Sequence, residues 1–207
     1  FIDTQVKYDQ VGLEDPNAGG FTQQFFNRVE FEGNYLDGRW KPTVGFNYST
    51  IYRHDQDFPS LQNPFPFTED AYYNGRRLAV DFKNQINVTD NVMVLAGVDY
   101  ERTWAYSNSD GAQGWGTMAQ TGLYAQVKAT VLEDLTLSLG GRVDLNDTFG
   151  TVSTWRAGAT YLLRETDTRF KASYGTAFKA PSLFELYGTG FFCGGNRNIQ
   201  PEYSRGW

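Results

Sequence analysis

What most constrains this chain is a strict two-residue alternation sustained over long stretches. In "LYAQVKATV", Leu123, Ala125, Val127, Ala129 and Val131 fall on one side, and Tyr124, Gln126, Lys128 and Thr130 on the other. After Leu132-Glu133-Asp134, "LTLSLGGRVDL" places Leu135, Leu137, Leu139, Val143 and Leu145 against Thr136, Ser138, Arg142 and Asp144. Side chains alternate across a strand, so the pattern predicts two antiparallel strands joined by a tight reversal, with one apolar and one polar face.

The same design recurs upstream. Val29, Phe31 and Tyr35 alternate with Arg28, Glu30, Glu32 and Asn34, and the chain turns at Asp37-Gly38, a hairpin signal, to return through Trp40, Val44, Phe46 and Tyr48. Further turns fall at Thr89-Asp90-Asn91 and Glu165-Thr166-Asp167, giving nine strands and the start of a tenth in an all-β antiparallel chain. The connections alternate in length: the stretches from about Asp9 to Gly20, Asp55 to Ala71 and Ser107 to Thr117 read as long loops, Asn146 to Ser153 as intermediate and the last connection as long again, with short turns between them. A soluble sandwich has no reason to gather long loops at one end, whereas a transmembrane β-barrel does. Phe25–Leu36 and Val92–Tyr106 also exceed the five or six residues, roughly, of a soluble strand and meet the roughly nine to eleven that cross a bilayer. Aromatic residues gather near strand ends, with Tyr35 and Trp40 by a short turn and Trp104, Tyr106 and Trp155 by longer loops, as interfacial girdles require.

Composition fits this reading without deciding it. Mean hydropathy is -0.51, and no apolar run is long enough for a transmembrane helix, which leaves a barrel open because alternation dilutes its hydropathy. The net charge of -6, without a Lys/Arg block, argues against a nucleic-acid partner. Cys193, the one cysteine, cannot form an internal disulfide, and the chain opens at Phe1 with no leader pattern, so both ends read as cuts.

Three segments carry a family resemblance: "LSLGGRVD" (Leu137–Asp144), "YGTAFKAPSLFELYG" (Tyr174–Gly188) and "GNRNIQPEYSRGW" (Gly195–Trp207). In this order and spacing they resemble the middle of a TonB-dependent receptor of the bacterial outer membrane, where the last segment usually reads close to G-N-P-N-L-x-P-E. Arg197 stands where proline is usual, and Cys193 in the loop is a second departure. The resemblance implies a twenty-two-stranded barrel around an N-terminal plug, so that residues 1–207 are a partial barrel domain with the plug and the closing strands outside them. It also implies the partners: outer-membrane lipid, the protein's own plug domain, a TonB-type energy-transducing complex, and an extracellular small-molecule ligand such as a metal chelate or vitamin. The implied function is import of a bulky scarce nutrient, such as a ferric siderophore or cobalamin, by energised plug movement, with no catalysis. A passive porin and a soluble β-sheet carbohydrate-binding domain are the alternatives. Within this frame Lys171–Phe178 is a strand ended by Pro181, Ser182–Tyr203 an extracellular excursion, and Glu202–Trp207 the return into the barrel.

Candidate site residues fall into two groups. Arg28, Glu30, Glu32, Lys128, Arg142 and Asp144 lie on the polar alternation and are expected to line the lumen and face the plug, with Arg142 and Asp144 pairing with each other or with the plug; Asp99 and Glu101 belong to the same wall. Trp115, Tyr187, Phe191 and Phe192, flanked by glycine, are candidates for substrate contact, since rings give large apolar area at low entropic cost. His54, Asp55 and Asp57 lack the spacing of a known metal site and read as solvated loop charges, so no metal site and no cofactor is assigned. Some cobalamin receptors of the family hold calcium on loop aspartates, but no residue here matches them.

Overall fold

The computed structural model describes residues 1–7, 18–59, 61, 69–109, 111–189 and 194–207. Among the described residues, ten strands and one short helix follow in order: β1 (Ile2–Lys7), β2 (Gly19–Glu32), β3 (Trp40–Asp57), β4 (Glu69–Thr89), β5 (Val92–Ser109), β6 (Ala112–Val131), β7 (Leu135–Asn146), β8 (Gly150–Leu163), β9 (Thr168–Lys179), α1 (Leu183–Tyr187) and β10 (Glu202–Gly206). The strands form one antiparallel sheet in sequence order, each paired with its chain neighbours. Such a meander arises when every connection is a hairpin, because each strand then finds its partner next along the chain.

The register carries the alternation across the sheet. Val127 lies opposite Val94 and Leu139, while Lys128 lies opposite Met93 and Ser138, so each strand adds its apolar residues to one face and its polar residues to the other. The apolar face stays open: Phe31 is 72% exposed, Leu139 62% and Leu123 49%. Among the described residues only Ala18, Ala71, Val152, Leu183 and Leu186 are buried apolar ones. A soluble sandwich would cover this face with a second layer; among the described residues nothing covers it, and a sheet built this way suits a lipid surround.

Three sequence expectations are revised. The stretch Ser107–Thr117 is not a loop, because β5 runs to Ser109 and β6 starts at Ala112, with Gly111 at φ 85° in the turn. Asn146–Ser153 likewise shrinks to the turn at 147–149, with Gly150 at φ 87°. Extended polar sequence kept its ladder beyond the apolar band, so the central strands β3 to β6 reach 18, 21, 18 and 20 residues, against 12 in β7. The third revision concerns the segment after Pro181. It does not simply leave the wall: α1 folds it back onto β5 and β6, with Leu186 1% exposed. A capping box starts this helix: Ser182 Oγ accepts from Glu185 N–H at 3.2 Å, and the Glu185 carboxylate accepts from Ser182 N–H at 2.7 Å.

Candidate functional site

The polar face is organised by charge. One row in direct register contains Glu30, Gly45, Asp81, Asp99, Gly122 and Asp144, each on its own strand from β2 to β7. Carboxylates set side by side repel, and two arginines offset the repulsion. Arg28 on β2 donates to Glu30 at 2.6 Å and, across β3, to Asp81 on β4 at 2.9 Å. Arg142 on β7 donates to Asp144 at 2.6 Å and, across β6, to Asp99 on β5 at 2.8 Å. A third pair, Arg77 on β4 with Glu101 on β5 at 2.5 Å, lies further along the same face.

The crossings explain two mid-strand glycines. A Cβ on Gly45 would stand 2.5 Å from both Arg28 Nη2 and Asp81 Oδ1, and one on Gly122 would overlap the Arg142 guanidinium. Glycine on the strand being crossed is what lets each guanidinium lie flat against the backbone and reach the second strand. Asp144, 1% exposed, is the most buried of these acids. A carboxylate that deep needs partners, and it has the Arg142 Nε at 2.9 Å and the Gln120 amide at 2.9 Å. Asp99 Oδ2 has no hydrogen-bond partner among the described residues.

All six wall candidates share this face: Arg28, Glu30, Glu32 opposite Thr43, Lys128, Arg142 and Asp144. The expected pairing of Arg142 with Asp144 is present, together with Asp99. Sequence reasoning missed Asp81, Arg77 and the two glycines, for which the available signal was a glycine breaking a polar alternation in mid-strand. Of the substrate candidates, Tyr187 lies on the polar face, its ring where a side chain on Gly116 would be. Arg197, the residue in place of the usual proline, sets its guanidinium 5.2 Å from the centre of that ring. Trp115 points from the other face, opposite Tyr106 in register, and is 74% exposed; strand alternation separates it from Tyr187. Phe191, Phe192 and Cys193 lie outside the described residues.

Alternation also divides the histidine cluster. His54 points to the apolar face, stacked on Tyr72 at 4.0 Å with Nε2 2.8 Å from Asp70, while Asp55 points to the polar face and pairs with Arg53 at 2.7 Å. Among the described residues no group of three His, Cys, Asp or Glu could hold a metal ion. At α1, the Glu185 carboxyl is held below the usual range by the Ser182 backbone N–H first and its hydroxyl second. Between α1 and the wall lies a space of about 190 Å³ lined by Ile51, Gly75, Ala105, Gly114, Leu183 and Tyr187.

A single meander with one open apolar face and one ion-paired face is the wall of a transmembrane β-barrel. The chain belongs to the TonB-dependent receptor family: the family model described as "TonB dependent receptor-like, beta-barrel" matches residues 3–207. Among solved structures it is similar to the copper transporter OprC, with a TM-score of 0.75 and 15% identity over 91% of this chain and 36% of that one. It is similar also to the siderophore receptor PirA from Acinetobacter baumannii, with a TM-score of 0.67 and 14% identity over 93% of this chain and 32% of that one. The RagAB peptide transporter matches at a TM-score of 0.54 and 12% identity, over 91% of this chain and 27% of that one. At these identities the likeness is one of fold, and the chain spans about a third of the length of OprC or PirA. The family is one of bacterial outer-membrane receptors and transporters, not of enzymes.

Proposed function

We propose that the protein containing this chain sits in the outer membrane and imports a bulky scarce nutrient, a ferric siderophore or cobalamin, by movement of a plug energised through a TonB-type complex. In this reading residues 1–207 are part of the barrel wall, and Arg28, Glu30, Glu32, Lys128, Arg142 and Asp144 face the plug. Catalytic residues and a resident cofactor have no part in it. The observation that carries the reading is the inward-folded α1 segment, which sets the Tyr187 ring and the Arg197 guanidinium on the polar face at the long-strand end of β6. An aromatic ring beside a cation suits an anionic chelate with rings or extended π-systems better than it suits a freely passing small solute.

The test is uptake. The full-length receptor, expressed in cells lacking their own receptors, should accumulate labelled ferric siderophore or cobalamin, and removal of the energy-transducing complex should abolish accumulation. Uptake that persists without that complex supports a passive porin instead. Transport of copper ions or peptides, with none of chelates or cobalamin, would replace the substrate class.

A further inference from the structure

The polar face is neutralised on one side of the sheet and left cationic on the other. Arg28, Arg77 and Arg142 each hold a carboxylate. Neither β8 nor β9 contains an aspartate or glutamate, yet Arg156 on β8 and Lys171 on β9 both stand on the polar face. Lys128 on β6 joins them through the register. Lys128, Ser138, Gly158 and Ser173 form one row across four strands, with Arg156 in the row on one side of it and Lys171 in the row on the other. All three cations are exposed, and among the described residues none has a carboxylate partner.

Glycine plays a different part here than in the paired half. Over Gly45 and Gly122 the space is taken by a guanidinium from the next strand, on its way to a carboxylate beyond. A Cβ on Gly158 would instead meet Ser138 Oγ first, at 2.9 Å, and one on Gly140 the Gln126 stem at 3.3 Å, with no charged group among the nearest atoms of either. The result is a hollow of about 300 Å³ lined by Gln126, Ser138, Arg156, Thr160, Lys171 and Ser173. Its lining is rich in donors. Arg156 Nη2 donates to Ser173 Oγ at 3.3 Å, which leaves the other guanidinium N–H groups and the Ser173 hydroxyl proton free to donate. Cations of one sign around a concave wall reinforce one another's field at its centre, which favours an anion there.

We propose that this hollow binds an oxyanion group, a phosphate or a carboxylate, between Arg156, Lys171 and Lys128, with the Ser173 and Thr160 hydroxyls as further donors. The planar guanidinium meets two oxygens of such a group at once, and the two ammonium groups balance its remaining charge. For its occupant the site rests on the import reading above. In that reading the plug moves past this stretch of wall, and the oxyanion is either a free ion or a charged group on the solute being carried. A cargo without such a group gains nothing from the hollow.

The experiment uses the full-length receptor in uncharged detergent at low ionic strength, dialysed to equilibrium against radiolabelled inorganic phosphate as the probe. The wild type should hold phosphate, and Arg156→Gln and Lys171→Gln should each weaken binding roughly tenfold, the loss of one charge-assisted hydrogen bond. Gly158→Ala, which keeps every charge and narrows the hollow, should weaken it too. Arg164→Gln, at a turn and already paired with Glu133, should leave it unchanged. Heat-modifiable gel mobility confirms that each variant is folded. Uptake in energised cells then assigns the source. If Arg156→Gln slows a carboxylate-bearing ferric chelate and spares a neutral one, the oxyanion travels on the cargo; if it alters neither while phosphate binding falls, the oxyanion is a free ion. A wild-type receptor that retains no phosphate would overturn the site, because residues outside 1–207 would then pair the cations. Equal weakening by Arg164→Gln, or none by Gly158→Ala, would also overturn it, since the attraction would belong to general surface charge and not to the hollow. A receptor that binds phosphate in this way yet imports neither chelates nor cobalamin sinks the import reading alone, whereas one that imports them and ignores phosphate sinks this site alone.

Discussion

Replacing Gly122 by alanine should break the longer of the two reaches made by Arg142. The new Cβ would occupy the guanidinium's path and also stand 2.4 Å from Asp99 Oδ2. Arg142 keeps its bonds to Asp144, its neighbour on the same strand, so the loss is confined to the 2.8 Å bond to Asp99. A hydrogen bond to a charged group contributes about 1.5–3 kcal/mol. The side chains of Arg142 and Asp99 are 32% and 31% exposed, so screening places the effect toward the lower end. Alanine recovers part of this through its lower strand entropy, about 0.5–1 kcal/mol. The net expectation is a destabilisation of roughly 1 kcal/mol. Gly141→Ala is the control: its Cβ points to the apolar face and meets nothing closer than the Thr154 carbonyl at 3.8 Å, so it should be neutral or stabilising. Urea titration of the full-length receptor in liposomes, followed by tryptophan fluorescence, reads both. Adding Arg142→Gln to each glycine variant completes the test, because the cost of Gly122→Ala should fall once no guanidinium has to cross, leaving only the approach to the Asp99 carboxylate. If Gly122→Ala costs the same with and without Arg142, or no more than Gly141→Ala, the crossing explanation is wrong.

Three further outcomes follow from the same structure. Val127→Lys, on the apolar face, should cost roughly 2–4 kcal/mol near the bilayer midplane while Gln126→Lys is tolerated; equal folding yields in liposomes would refute the face assignment. Because Ser182 holds the Glu185 carboxyl below its usual range, the capping box stabilises α1 above the unfolded carboxyl pKa of about 4.3 and stops doing so as pH falls through the lower folded value. Protection of the Leu186 and Gly188 amides, which donate to Ser182 and Phe184, measured against intrinsic exchange at each pH, should therefore fall on strong acidification in the wild type and be low at all pH in Ser182→Ala; wild-type protection that does not change with pH counts against it. A polypeptide of residues 1–207 alone should aggregate in detergent, because β1 and β10 end the sheet with open edges, and a monomeric heat-modifiable species would contradict that.

The parts of the fold legible in the sequence are those fixed by short-range alternation. Val127 and Lys128 fall on opposite faces because no strand can do otherwise, and the turns at Asp37-Gly38 and Leu132–Asp134 follow from where the alternation resets. Long strands hid themselves where both faces are polar: "SNSDGAQGW" has no apolar rhythm, yet the ladder between β5 and β6 runs through most of it. The docking of α1 was illegible for another reason. Its site is made by absence, by Gly75, Ala105, Gly114 and Gly116 on three strands, and small residues announce a hollow only once register sets them side by side. The partners of Arg28 and Arg142 were hidden similarly, since Asp81 and Asp99 are 53 and 43 positions away in the chain.

The three arginines together make something that no single pair does. Arg28 ties β2 to β4, Arg77 ties β4 to β5, and Arg142 ties β7 to β5, so three ionic spans, joined end to end through the backbones of β4 and β5, cover six strands and pass over β3 and β6 at Gly45 and Gly122. In mechanical language this is a hoop reinforcement. Backbone hydrogen bonds resist separation only over a fraction of an ångström, whereas charge attraction falls off slowly with distance. A wall strained outward would therefore stretch at its ladders first and still be drawn closed by the hoop, and each link that skips a strand spreads the load over two seams at once.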